Sequence, residues 1–276
     1  MVVARAESKR LMGRGAGPRP SAIRRLARSL DRDGFYRVLT LAGAAGLWEW
    51  GAESSTSLLI PSFSDTASAL IALVSDREVW AALAISNQSL VIGFAASVVI
   101  GIPLGLAMGR FRRVESFTDF YLGVLLVTPM AAIMPLLIMA TGLGLASRAI
   151  LVTLSSIVVV VANTRAGVRQ VDPSLIEMAR SFRASEGQLW RRILIPGSMP
   201  GIMAGLRLGL SQAVGAMIIV ELLMVAVGIG ALMLEFRGRF MADYLYASVL
   251  VVVAEALLLI ISVDVLERRL APWRRR

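Results

Sequence analysis

A chain of 276 residues that is 57% hydrophobic, with a mean hydropathy of +0.72, and whose apolar residues gather in blocks of roughly 17–25, has a membrane composition. The absence of Cys and His removes thiol redox chemistry, Cys/His metal sites and imidazole acid–base catalysis, and the single lysine, Lys9, is followed by Arg10, so no phosphate-cradling G-x-x-x-x-G-K-[ST] loop is present. The net charge of +10 is almost all Arg placed between apolar blocks, which argues against nucleic acid as a partner.

Residues 1–34, rich in Arg, Gly, Ser and Pro, predict a disordered basic cytoplasmic arm. Glu7, Asp31 and Asp33 speak against a transit peptide. A first transmembrane helix is predicted over 35–52, ending on the interfacial run Trp48-Glu49-Trp50, with no small-x-small cleavage site. Residues 53–85 become amphipathic. Ser64 or Asp65 is suited to cap a helix with Ala69, Leu70, Leu73 and Val74 on one side, lying on the periplasmic membrane surface.

A transmembrane core over 86–266 holds five more predicted spans, at 86–109, 118–140, 146–163, 201–224 and 244–266, followed by a basic cytoplasmic tail over 267–276. The fold class is therefore all-α, a membrane protein of six transmembrane helices. Lys and Arg total 24 on one side of these spans, whereas the other side holds four, Arg77, Arg148, Arg237 and Arg239. That imbalance places both termini in the cytoplasm.

The second span carries Ser97, Gly101, Gly105 and Gly109, with Pro103 as a kink, and the fifth carries Gly201, Gly205, Gly209 and Ala213. In lipid, where no hydrophobic drive brings helices together, such stripes let backbones approach, within one chain or at a seam between two copies. The third span contains "VTPMAAIMP", and Pro129, Met130 and Pro135 predict a kinked or broken helix, either structural or a wall of a translocation pathway. Asn163, Ser211, Gln212 and Glu221 are the other polar candidates for that wall. Glu221 and Glu255 lie near span ends, so an ion pair with Arg237 or Arg239 is the alternative. Arg207, early in the fifth span, either attracts an anion or snorkels to the cytoplasmic interface. Without a tandem repeat, and with only six spans, the chain is expected to work with a second copy.

Between the fourth and fifth spans the cytoplasmic loop 164–199 includes "EMARSFRASEGQLWRRILIP". Asp172 followed by Pro173 predicts a helix start, with Leu175, Ala179 and Phe182 as its apolar face. Ser185 and Gln188 fit a capping box for a second helix bearing Leu189, Trp190, Ile193 and Leu194 and ended by Pro196 and Pro200. Two short amphipathic helices flanked by Arg suit lipid headgroups or the groove of a partner protein.

Glu177-Met178-Ala179 with Ile193-x-Ile195-Pro196 resembles the "EAA" loop of permease subunits of bacterial ATP-binding-cassette importers, E-A-A-x-x-x-G, nine residues, then I-x-L-P. Met178 replaces the first Ala, Ile195 the Leu, and Arg183 stands at the glycine position. A non-glycine residue costs roughly 1 kcal/mol where the backbone is left-handed, and Gly187 offers a shifted break. The stretches "LLIPSFSDTASAL", "GFAASVVIGIPLGLAMGR", "NTRAGVRQVDPSLIEMAR", "PGIMAGLRLGL" and "LERRLAPW" resemble the nitrate/sulfonate/taurine branch over about 55–273.

The resemblance implies a type I importer permease in the bacterial inner membrane, probing the cytoplasm with short coupling helices. Two permease chains, by default a homodimer, would form the pathway, two ATPase subunits would carry ATP and Mg, and an extracytoplasmic binding protein would deliver solute. Asp172, Glu177, Ala179, Arg183, Ser185, Gly187, Trp190, Ile193 and Pro196 would make the ATPase joint. The chain itself would bind no cofactor and catalyse nothing. Gradient-driven carriers or channels are the alternative class. A membrane-embedded enzyme is disfavoured, since Glu49, Glu221 and Glu255 fall on three different spans with no spacing to join them.

Overall fold

The computed structural model describes residues 22–55, 59–223 and 226–270. All regular elements among them are helical, and the chain divides into two units, Met1–Thr56 and Ser57–Arg276.

The described part of the first unit is one helix, α1 (Ala22–Glu53). The arm expected over 1–34 lies outside the described residues up to 21, and from Ala22 the backbone is helical instead of irregular. Although long, α1 is not among the helices apolar enough to cross a membrane, because Arg37 and Glu49 interrupt its apolar stretch.

The second unit contains α2 (Phe63–Ser75), α3 (Arg77–Arg110), α4 (Arg112–Val127), α5 (Met130–Thr141), α6 (Leu145–Arg169), α7 (Pro173–Ser181), α8 (Glu186–Leu189), a π-helical turn (Trp190–Leu194), α9 (Ile195–Leu223), α10 (Gly228–Gly238) and α11 (Ala242–Leu270). Four stretches are long and apolar enough to span a bilayer: α3, α6, the continuous run Glu186–Leu223 and α11. The pair α4 and α5, bent by 101° at its break, makes a fifth if counted as one broken span. The described residues thus give four or five spans, against six expected.

Helix α6 is the centre of the packing, with α3 on one flank and α9 on the other. Both glycine stripes face it. A Cβ on Gly105 would lie 2.6 Å from Thr164 Cβ, and one on Gly201 would lie 2.5 Å from Gly167 Cα, so even a methyl group would force these helices apart. Gly101 and Gly209 sit against Val160, Gly109 against Val168, and Gly205 against Asn163. Val160 and Val161 between the two stripes are fully buried. Pro103 is accommodated inside the 34-residue α3.

The amphipathic segment forms α2, but its cap is Ser62, whose Oγ accepts from Asp65 N–H at 3.0 Å, and not Ser64 or Asp65. Its Ala69 and Leu73 do not lie on lipid. They join Val79, Leu83, Ile229, Leu232 and Ala247 in a buried cluster, while Val74 stays exposed.

Candidate functional site: the polar loop and the broken span

The loop begins as the sequence dictates. Asp172 caps α7, Oδ1 accepting from Ser174 N–H at 2.8 Å, with Pro173 in the first turn where its missing donor costs nothing. That N–H holds the exposed Asp172 carboxyl below its usual pKa, because it bonds the ionised form. The face expected to be apolar divides: Ala179 is buried, whereas Leu175 and Phe182 are exposed, Phe182 by 81%, and Met178 beside them is exposed too. Glu177 is exposed as well.

Helix α7 ends in a Schellman turn. Ala184 N–H donates to Ala179 C=O and Arg183 N–H to Arg180 C=O, both at 2.9 Å, and Arg183 takes φ +53°. The Arg at the family's glycine position therefore does occupy the left-handed conformation that glycine would adopt without strain. Ala184 packs against the buried cluster that includes Ala179. Gly187 is helical and marks no break.

Next, Ser185 and Gln188 form the expected capping box, Ser185 N–H donating to Gln188 Oε1 at 2.9 Å and Gln188 N–H to Ser185 Oγ at 3.3 Å. Leu189 and Leu194 are buried against Val168, Val171 and Ala179, with Trp190 and Ile193 packed beside them. Pro196 and Pro200 do not end this helix. The turn widens to π geometry over Trp190–Leu194, Ile195 N–H donates to Trp190 C=O, and the chain continues into α9 with both prolines inside it. A π turn just before a proline opens the ladder where the ring has no donor to give, so the helix passes through. Arg110 at the end of α3 lies 3.5 Å from Glu186, and Phe111 contacts the Trp190 ring, tying α8 to that span.

At the other candidate site, Thr128 and Pro129 separate α4 from α5, with Pro129 as the N-cap of α5 and Pro135 within it. The break borders a recess of about 230 Å³ that includes Met130 and Gln212, together with Thr128 and Ser155. Among the described residues Ser155 Oγ has no hydrogen-bond partner. Pro129, Pro135, Asn163, Ser211 and Glu221 are not in its lining. Asn163 turns its amide back onto Val159 C=O at 2.8 Å, at the α6–α9 seam.

The acidic groups find other partners than the sequence suggested. Glu221 is fully buried and pairs with Arg148 at 3.6 Å, whereas Arg239 pairs with Glu235. Arg148, counted with the loops, is itself buried in α6. An arginine beside an apolar span needs a buried counter-charge, and that was the available signal. Glu255 bonds Asn87 on α3. Arg207 is occupied by Asp264, at 3.0 Å, and Glu267 on α11, which leaves it no free charge for an anion. Among the described residues no group of three or more His, Cys, Asp or Glu is placed to hold a metal ion.

Residues 97–276 match the family model of the binding-protein-dependent transport system inner membrane component. The chain belongs to that family. It is 33% identical over 199 residues to the taurine transport system permease protein TauC of Escherichia coli (strain K12), covering 72% of each. To the putative aliphatic sulfonates transport permease protein SsuC of Bacillus subtilis (strain 168) it is 29% identical over 202 residues, covering 73% of each. An inward-facing structure of the MetNI methionine ABC transporter shares the fold, with a TM-score of 0.58 at 20% identity over 72% of this chain and 97% of that one. The protein is a multi-pass permease subunit of an ATP-binding-cassette importer for a small solute, coupled to a separate ATPase subunit that hydrolyses ATP. A gradient-driven carrier or channel is thereby set aside.

Proposed function

We propose that this permease carries a small anionic or zwitterionic solute of the sulfonate, taurine or nitrate type, with the loop 172–196 as its joint to the ATPase. The single observation that supports the joint is the exposed apolar triplet Leu175, Met178 and Phe182 on a helix whose caps are satisfied by its own loop. A water-facing patch of that kind fits a partner's groove. In this reading Asp172, Arg183, Ser185 and Gly187 shape the joint, Glu177 meets the partner, and Ala179, Trp190, Ile193 and Pro196 connect it to the spans. ATP and Mg sit on the ATPase, and an extracytoplasmic binding protein delivers the solute. Support for the solute class comes from the names of the taurine and sulfonate relatives.

Two copies of the chain would enclose the pathway, lined near the α4–α5 break by Met130, Gln212, Thr128 and Ser155. The loop faces the cytoplasm, as the excess of Arg around it favours. Five crossings from α3 onward start on the opposite face, so a cytoplasmic N-terminus needs a sixth through α1. The eleven uncharged residues between Arg37 and Glu49 span only about 16 Å at helical rise, so both charges must snorkel to the interfaces.

Co-purification from detergent with the ATPase encoded beside it tests the joint. Leu175→Ser/Phe182→Ser should lose the ATPase while the permease stays folded and membrane-inserted. Full retention of the ATPase by that variant would reject this loop as the joint.

A further inference from the structure

Helix α10 lies at the end of α9 opposite the loop, and its first turn is held by side chains from elsewhere. Gly230 N–H donates to Glu221 Oε2 at 3.1 Å, and Ile229 N–H donates to Ser86 Oγ at 3.0 Å. The Ser86 hydroxyl in turn donates to Glu221 Oε2 at 2.8 Å. Arg148 from α6 lies 3.6 Å from Glu221 Oε1 and reaches Ile85 C=O on α3 at 3.5 Å. Ser86 and Glu221 are fully buried, and Arg148 is 7% exposed.

The first N–H groups of a helix have no partner within it, and away from water they require acceptors. A carboxylate supplies them and favours the positive end of the helix dipole, but needs a cation beside it. Glycine at 228 and 230 makes the approach possible: Gly228 takes φ +60°, and a Cβ on either residue would collide with Ser86 Oγ or the Glu221 side chain. None of this borders the recess at the α4–α5 break.

We propose that Glu221 is a positioning residue, an N-cap for α10 supplied from α9 and neutralised by Arg148, which fastens the outer ends of α3, α6, α9 and α10 into one block. During transport that block moves as a unit. Helices α4 and α5 contribute no residue to the lock. The movement during transport and the assignment of outer and inner faces rest on the importer reading, and the lock itself does not.

Because the chain has no cysteine, single thiols report on it directly. In the purified full-length chain, Met233→Cys, buried on α10, and Val161→Cys, buried between α6 and its neighbours, are labelled with N-ethylmaleimide. Adding Glu221→Ala should raise labelling at 233 at least 10-fold and leave 161 unchanged. Glu221→Gln, which keeps an acceptor for Gly230 N–H but leaves Arg148 without its counter-charge, should restore part of the protection at 233. In vesicles of the whole transporter, Glu221→Ala should cut solute uptake at least 10-fold while ATP hydrolysis continues. Unchanged labelling at 233, or an equal rise at 161, overturns the lock. Should the wild-type chain bind no ATPase, the importer reading fails, and the labelling arm still decides the lock.

Discussion

Two short helices flank the span α9, α7 on its loop side and α10 beyond its other end, and both end alike. Each closes with a Schellman turn whose left-handed position holds a bulky residue, Arg183 at φ +53° and Phe240 at φ +58°. They begin differently. The α7 cap is local, Asp172 to Ser174, whereas α10 is capped by Ser86 and Glu221 from two other helices. Locally closed elements can follow a partner without breaking contacts to the membrane core. One whose backbone donors are satisfied by distant spans moves only with them.

The sharpest way to break this comparison is at Glu221. Glu221→Ala strands the buried Arg148, the Gly230 N–H and the Ser86 hydroxyl, and a loss of about 3–5 kcal/mol is expected, read as a fall in the temperature at which the purified chain stays monodisperse. Next comes Gly201→Val, where added atoms meet the α6 backbone; roughly 1–3 kcal/mol of destabilisation should appear in the same assay. The loop side should respond in affinity instead: Phe182→Ser is expected to weaken ATPase binding about tenfold, roughly 1.4 kcal/mol, with no change in thermal stability. Arg183→Gly should relieve strain by about 1 kcal/mol or less and leave ATPase affinity unchanged, which a lower affinity would contradict by making the Arg side chain a contact.

The smallest effect is at Asp172. Its folded pKa is depressed, so its cap stabilises the loop above the unfolded value of about 3.9 and is lost as pH falls through the lower folded value. Asp172→Asn, which keeps an acceptor without a titratable charge, should flatten the acid dependence of ATPase retention below about pH 4. An identical acid profile in both proteins would remove Asp172 as its source.

Much of the loop was legible because its signals are local. Asp172-Pro173 and the Ser185–Gln188 box each depend on a few neighbours in sequence, whereas the left-handed residue at 183 was one of several readings the sequence left open beside a break at Gly187. The exposed side of α7 was not legible, since apolar spacing does not say which residues of a face meet the core. Local rules also misled at Pro196, where a π turn carries the helix onward. The break at Pro129 was expected, but not that Ser155 and Gln212 would meet beside it.

What the sequence determined by itself is the membrane environment, the helical class, the small-residue stripes and the absence of any phosphate loop, because each follows from composition or spacing along one segment. Tertiary structure alone decided the partners of the buried charges. Ser86, Arg148, Glu221 and Gly230 lie on four helices, and Arg207 meets Asp264 and Glu267 across 57 and 60 residues of chain. In a medium without water a charge must take whichever partner packing brings to it, and packing here is set by how closely α3 and α9 approach α6.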